Sequence, residues 1–262
     1  LDEVGLRGLM DVIRPIGASD ATVLILGERG VEHDRVARLI HALSPRGAGR
    51  FGAVNCAALS APGLDRELFG TEGRTRGGGR PGKIRQTSGG TLFLDEVSEM
   101  PLSIQGRLLQ FLQEQRVLRP ALGHDVPVDI RLVAASHRDL RTMVAQQGFR
   151  GDLYYRLNVL RIYVPPLRER RAELADLVPY FHDKYGQRHG RRSRPISPPA
   201  MEALLTHSWP GNVGELENVL ERIVVLGTDD WVPAELAAAR VDAARRASLK
   251  PVSGASAPRA TA

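Results

Sequence analysis

The chain has 262 residues, 42% of them hydrophobic and 25% charged, an ordinary globular composition that excludes wholesale disorder and suits one large domain or a large one with a small companion. No apolar run approaches the ~20 residues of a membrane span, no signal peptide opens the chain, and the single Cys56 excludes an internal disulfide and suits a reducing cytoplasm. Only Lys83, Lys184 and Lys250 among the 36 Lys+Arg are lysines, and the net charge of +6 admits a nucleic-acid surface, although an arginine-rich codon usage with dispersed charge is the simpler account.

Thr22–Leu26 is a short β-rich apolar run ending at Gly27, and Asp34–Leu43 follows with Val36, Leu39, Ile40 and Leu43 at helical spacing, so the first unit reads strand, loop, helix. Phe51–Asn55 is a second strand and Thr91–Asp95, bounded by Gly89-Gly90, a third. Pro101 suits the start of a helix whose apolar face carries Ile104, Leu108, Phe111 and Leu112. Ile130–Ala135 and Arg161–Val164 complete a set of strands alternating with helices, which predicts an α/β fold with a parallel sheet covered on both faces.

After Pro165-Pro166 only helices are predicted, roughly Arg171–Gly186, Pro199–Ser208 and Val213–Leu226. The expected division is an α/β core over 1–166, a small all-α lid over 167–230 and a linker over 231–262 that is Ala-, Arg-, Ser- and Pro-rich. A chain opening on Leu1 reads as a piece excised from a longer protein.

Gly27-Glu-Arg-Gly-Val-Glu-His-Asp34 leaves a strand and opens a helix, the position of a phosphate-binding loop. Such a loop needs glycines so that backbone N–H groups can close on phosphates, a lysine for their charge, and an oxygen ligand near Mg²⁺. Here Glu32 stands at a glycine position and His33 at the lysine position. A second string, Gly77–Ile84, fits GxxxxGK through Lys83, but no predicted strand precedes it and Ile84 stands where Ser or Thr belongs, so it is dismissed as a nucleotide site.

Downstream motifs give the weak loop its context. FGAVNCAAL (Phe51–Leu59), ELFG (Glu67–Gly70), GGTLFLDEVSEM (Gly89–Met100), FRGDLYYRLNV (Phe149–Val159), PPLRER (Pro165–Arg170) and WPGNVGELEN (Trp209–Asn218) occur in one order. Over about residues 5–230 the chain closely resembles the AAA+ P-loop domain of bacterial enhancer-binding proteins, the NtrC-like activators of sigma-54 RNA polymerase. That resemblance implies a ring-forming ATPase between an upstream regulatory domain and a downstream DNA-binding domain. It places Walker B at Asp95, the Mg²⁺ organiser, and Glu96, which polarises the attacking water. It also implies that Asn55 restrains the glutamate and that Arg150 and Arg156 are fingers reaching the neighbouring subunit.

Four departures from the family pattern carry the functional reading. GESGTGKE becomes GERGVEHD over Gly27, Gly30, Glu32, His33 and Asp34. A carboxylate at Glu32 about 4 Å from phosphate is a like-charge contact of ~1 kcal/mol in water and ~4 at an effective dielectric of 20, and His33, with an ordinary pKa of about 6.5, is mostly neutral at pH 7 and shorter than lysine. The GAFTGA loop is replaced by a shorter stretch, Thr71–Lys83, without an aromatic tip; Arg74, Arg76, Arg80, Lys83 and Arg85 against Glu72 make it a cationic loop, expected to be solvated, with contact to nucleic acid or another protein as the alternative. The sensor II arginine is Gly214, and the sensor I asparagine is His137.

The expectation is therefore a degenerate central domain of a response regulator in the cytoplasm. It self-associates, hydrolyses no ATP, reaches RNA polymerase other than through sigma-54, and meets DNA through a C-terminal domain outside this sequence. An upstream receiver domain is a further expected partner and a membrane is not. No cofactor is required, ATP or ADP with Mg²⁺ at Asp95 being at most a weak ligand. Two alternatives stay open: nucleotide as a structural or regulatory ligand, motivated by the retained Asp95, Glu96, Arg150 and Arg156, and a residual ATPase with an unusual loop.

Overall fold

The computed structural model describes residues 6–71, 79–117, 126–191 and 196–226. The expected linker over 231–262 and the loop residues Glu72, Arg74 and Arg76 lie outside them.

Five strands form one sheet: β1 (Val23–Gly27), β2 (Phe51–Asn55), β3 (Thr91–Asp95), β6 (Arg131–Ser136) and β7 (Leu160–Val164), in the order β2-β3-β6-β1-β7. Every pairing is parallel, with Val23 opposite Val133 and Leu160, and Phe93 opposite Ala53 and Val133. The β4–β5 ribbon (Arg116–Val117 and Val126–Pro127) is a separate antiparallel pair.

The central strands are apolar almost throughout because both faces are covered, and the period of two sends successive side chains to opposite cores. Leu24, Leu92, Leu94, Leu132 and Ala134 point into one core, which includes Leu64 and Leu68 of α3 (Ala61–Phe69), Ile84 of α4 (Lys83–Gln86), Leu108 of α5 (Leu102–Glu114), Leu140 of α6 (Leu140–Ala145) and Leu153 of α7 (Gly151–Leu157). Val23, Ile25, Phe93, Val133 and Ala135 point into the other, with Ile13 of α1 (Met10–Ala18) and Val36 and Ile40 of α2 (His33–Ala42). Arg131 is fully buried on β6, where it donates to the carbonyls of Ile16 and Gly17 at 2.7 and 3.0 Å. It thus satisfies the C-terminal end of α1, whose carbonyls have no helical partners.

Beyond Val164 the chain is helical: α8 (Leu174–Arg188), α9 (Pro198–Thr206) and α10 (Asn212–Leu226). They enclose a third core around Phe181, Leu216, Leu220 and Trp209, with Trp209 fully buried and its indole N–H donating to the Leu204 carbonyl at 3.0 Å. No helix among the described residues is long and apolar enough to cross a membrane. The architecture is the expected α/β P-loop core with parallel sheet and helical lid, and each predicted strand lies within a residue or so of its place. The sequence pattern does not predict helices α1, α3, α4, α6 and α7, which are short segments beside stronger signals.

Candidate functional site

In an open parallel sheet, ligands meet the loops at the carboxyl ends of the central strands. Here those ends are Gly27 of β1, Asp95 of β3 and Ser136 of β6, which bring the 27–33 loop, the acidic pair Asp95-Glu96 and His137 together although up to 110 residues separate them in sequence.

His33 opens α2 and is buried, with Nδ1 3.9 Å from Asp95 Oδ1. Its Nε2 lies close to Gly27, 3.1 Å from where a Cβ on that glycine would stand. Among the described residues neither Nε2 nor Asp95 Oδ1 has a hydrogen-bond partner. Burial pushes the His33 pKa down and, with the Glu96 charge second, pushes Asp95 up to about 6. The imidazole therefore stays neutral and occupies the floor of the loop without supplying the fixed cation a triphosphate needs.

Glu32 has φ 70° and ψ 48°, the left-handed region natural to the glycine it replaces, at a cost of about 1 kcal/mol for a side chain. Its carboxylate does not face phosphate space as expected from sequence. It pairs with Arg35 at 3.2 Å, and the charges of Arg170 and Glu217 in the helical domain act on it while burial raises its pKa. The physical reason is the backbone: with φ positive at the head of α2, the side chain is sent toward the lid. Asp34 is exposed and pairs with Arg38 at 2.7 Å.

Asn55 differs from its implied role too. Its Nδ2 donates to Asp95 Oδ2 at 3.2 Å and its Oδ1 accepts from the N–H groups of Ala57 and Ala58, so it holds Asp95 and its own turn. Glu96, itself at φ 55°, is instead held by His137 through Nδ1 and Oε2. Both histidine replacements thus face the acidic pair, one against each carboxylate. Arg150 and Arg156 stand apart from this cluster at the two ends of α7, exposed, with Arg150 paired to Asp152 at 2.7 Å and Arg156 donating to the Leu112 carbonyl at 2.8 Å.

The lid closes the loop from above through residues that sequence reasoning missed. Asn212 is fully buried at the head of α10, accepts from Leu167 N–H at 2.8 Å, and donates to the Arg29 carbonyl at 2.9 Å and Glu28 Oε2 at 3.3 Å. Arg168 forks onto Glu28 at 2.6 and 2.8 Å. The N–H groups of Val213 and Gly214 both reach the Gly30 carbonyl. Gly30, at φ 82°, lies so close that a Cβ on it would stand 2.2 Å from the Gly211 carbonyl oxygen. The available signal was PGN immediately before a helix, a turn tripeptide with a helix-start residue.

ATP with Mg²⁺, the ligand the fold implies, fits this site only in part. The unpartnered Asp95 Oδ1 suits a cation, but the phosphate end has a buried neutral imidazole for its lysine and a non-glycine at position 32. Among the described residues no group of three or more His, Cys, Asp or Glu side chains is arranged to hold a metal ion by itself.

Burial at Asp95 predicts a pH effect. Because its pKa is raised to about 6 from an unfolded value of about 3.9, its contribution to stability is complete below about pH 4 and is lost as pH rises through about 6. Asp95→Asn removes that dependence. The unfolding free energy of the variant relative to the parent should rise by about 1–2 kcal/mol between pH 4 and pH 7, measured by urea unfolding across that range. A flat difference would show that Asp95 does not carry the strained charge.

Comparison with known proteins agrees with this fold. The family model described as "Sigma-54 interaction domain" matches residues 2–163 and the "AAA+ ATPase lid domain" matches residues 168–251. The chain is 44% identical over 234 residues to the "Transcriptional regulatory protein ZraR" of Klebsiella oxytoca, covering 88% of this chain and 53% of that protein. To the "Nif-specific regulatory protein" of Herbaspirillum seropedicae it is 46% identical over 217 residues, covering 82% of this chain and 40% of the relative. The crystal structure of NtrX from Brucella abortus superposes with a TM-score of 0.81 at 35% identity, covering 90% of this chain and 55% of that one, and NtrX has also been solved in complex with ADP and with ATP. The chain thus spans about half the length of these relatives. It belongs to the sigma-54 interaction domain family and comprises that family's AAA+ core with its lid.

Proposed function

We propose that this domain is a non-hydrolysing central module of an NtrC-like response regulator in the cytoplasm. It serves self-association and couples an upstream receiver domain to a downstream DNA-binding domain. Transcription is then controlled through RNA polymerase carrying another sigma factor, without a sigma-54 power stroke. The observation that carries this reading is the loop floor: His33 is buried against Asp95, where the charge of a triphosphate would require a lysine. Gly214, where the family pattern has the sensor II arginine, adds to it, since that position meets the loop only with its backbone N–H, on the Gly30 carbonyl.

A phosphate-release assay with Mg²⁺-ATP tests the catalytic half of the reading. The expected result is no turnover above background. Turnover abolished by Glu96→Gln would establish an ATPase and overturn it. Velocity centrifugation tests the other half: self-association is expected with and without nucleotide, and a strict monomer at high concentration contradicts it.

A second reading, nucleotide as a structural or regulatory ligand with little turnover, is favoured by the unpartnered Asp95 Oδ1 and by the ADP and ATP complexes of NtrX. In that reading Arg150 and Arg156 complete a neighbour's site.

A further inference from the structure

Lys83, dismissed above as a P-loop lysine, lines a crevice of about 290 Å³ between α3, the strand-like pairing of Gly70 with Pro81, and α4, together with Arg66, Glu67, Arg80 and Gln86. This crevice shares no residue with the 27–33 loop or the lid contacts.

The fold places two of the crevice's cations through side-chain contacts and the third through its backbone. The Lys83 stem lies over Gly52 of β2, where a Cβ would stand 3.1 Å from it and 2.3 Å from Thr87 Cγ2. Its ammonium is steadied by Glu67 at 3.3 Å. Arg66 Nε donates to the Pro62 carbonyl at 3.1 Å, which orients the guanidinium; among the described residues its terminal nitrogens enter no ion pair. The Arg80 backbone is fixed: Thr71 N–H donates to the Arg80 carbonyl at 2.9 Å, and Arg80 N–H donates to Thr71 Oγ1 at 3.2 Å. Among the described residues its guanidinium enters no ion pair.

We propose that this crevice binds a small phosphorylated ligand, a phosphate monoester or diphosphate gripped by Arg66, Arg80 and Lys83. Three cations against one carboxylate leave a charge that matches the roughly −1.5 to −2 of a phosphate monoester at neutral pH, and guanidinium forks suit phosphate oxygens bidentately. A nucleic-acid backbone is the poorer match. It asks for cations spaced along a ridge, whereas these three converge on one concavity near the lower size limit of small-ligand pockets.

Calorimetric titration of the whole chain with inorganic pyrophosphate tests the site. Arg66→Gln with Arg80→Gln changes two exposed side chains, so the fold, checked by its melting temperature, is expected to persist. Each lost charge-assisted contact should weaken binding about tenfold, while His33→Ala, which alters only the P-loop, should leave it within about twofold. Equal binding in the double variant would overturn the proposal, as would no pyrophosphate binding to the parent chain. Loss of binding in His33→Ala would assign the anion to the P-loop and likewise overturn it. Capture of a single-stranded oligonucleotide without pyrophosphate would make this a nucleic-acid surface instead.

Discussion

Glu32→Gly combined with His33→Lys is expected to raise affinity for Mg²⁺-ATP by about ten- to a hundredfold over the parent chain. A charge-assisted contact contributes about 1.5–3 kcal/mol, which is one to two decades in Kd, and the lysine replaces a neutral imidazole that provides none. The glycine contributes differently. Position 32 has φ 70°, so removing its side chain relieves about 1 kcal/mol of left-handed strain and frees the loop to shape itself around phosphate. It also gives up the Arg35 pair, so the net change in melting temperature should be small. Equilibrium titration with a fluorescent ATP analogue reads the effect. No gain in the double variant would place the obstruction elsewhere, most directly in the lid seated on Gly30, and the account of the loop floor would be wrong.

Asn212→Ala is expected to destabilise the domain by about 2–4 kcal/mol and to release the lid from the loop. Asn212 is fully buried and satisfies Leu167 N–H and the Arg29 carbonyl at once; alanine strands both, and each buried unpartnered group costs about 1–3 kcal/mol. Asparagine is also suited to the φ of 55° found there, which alanine tolerates poorly. Arg168→Ala, breaking a fork that is 41% exposed on each side and so screened by solvent, should cost far less. Urea unfolding measures both, and limited proteolysis between core and lid should accelerate in the first variant alone. A loss below 1 kcal/mol for Asn212→Ala would mean that the lid is positioned by its apolar contacts and not by this residue.

How much of this was legible in the sequence follows from what each feature depends on. The strands were, because apolar runs such as Thr22–Leu26 and Ile130–Ala135 can be buried on both faces only in a parallel sheet; β1 and β6 sit one residue along from those spans. Site positions were legible by resemblance to a known pattern, and the fold does bring Gly27, His33, Asp95, Glu96 and His137 to one end of the sheet. What each side chain does there was not. Glu32 turns to Arg35 because its backbone is left-handed, and Asn55 takes Asp95 while His137 takes Glu96, choices set by geometry across strands. One clue was present: histidine appears at two site positions, both opposite the only adjacent acidic pair in the site. The lid contacts were hidden for another reason. Asn212, Glu28 and Arg168 lie in motifs recognised as wholes, and nothing in their spacing shows that the head of α10 reaches back some 180 residues to cap the loop.

The central claim is that the loop at Gly27–Asp34 no longer holds a triphosphate, and equilibrium binding of labelled ATP to the parent chain in the presence of Mg²⁺ measures it directly. No saturable binding is expected at nucleotide concentrations up to about 1 mM, which corresponds to a binding free energy weaker than about −4 kcal/mol. Saturable binding with a micromolar Kd, lost on Asp95→Asn, would contradict it and establish nucleotide as a ligand of this domain.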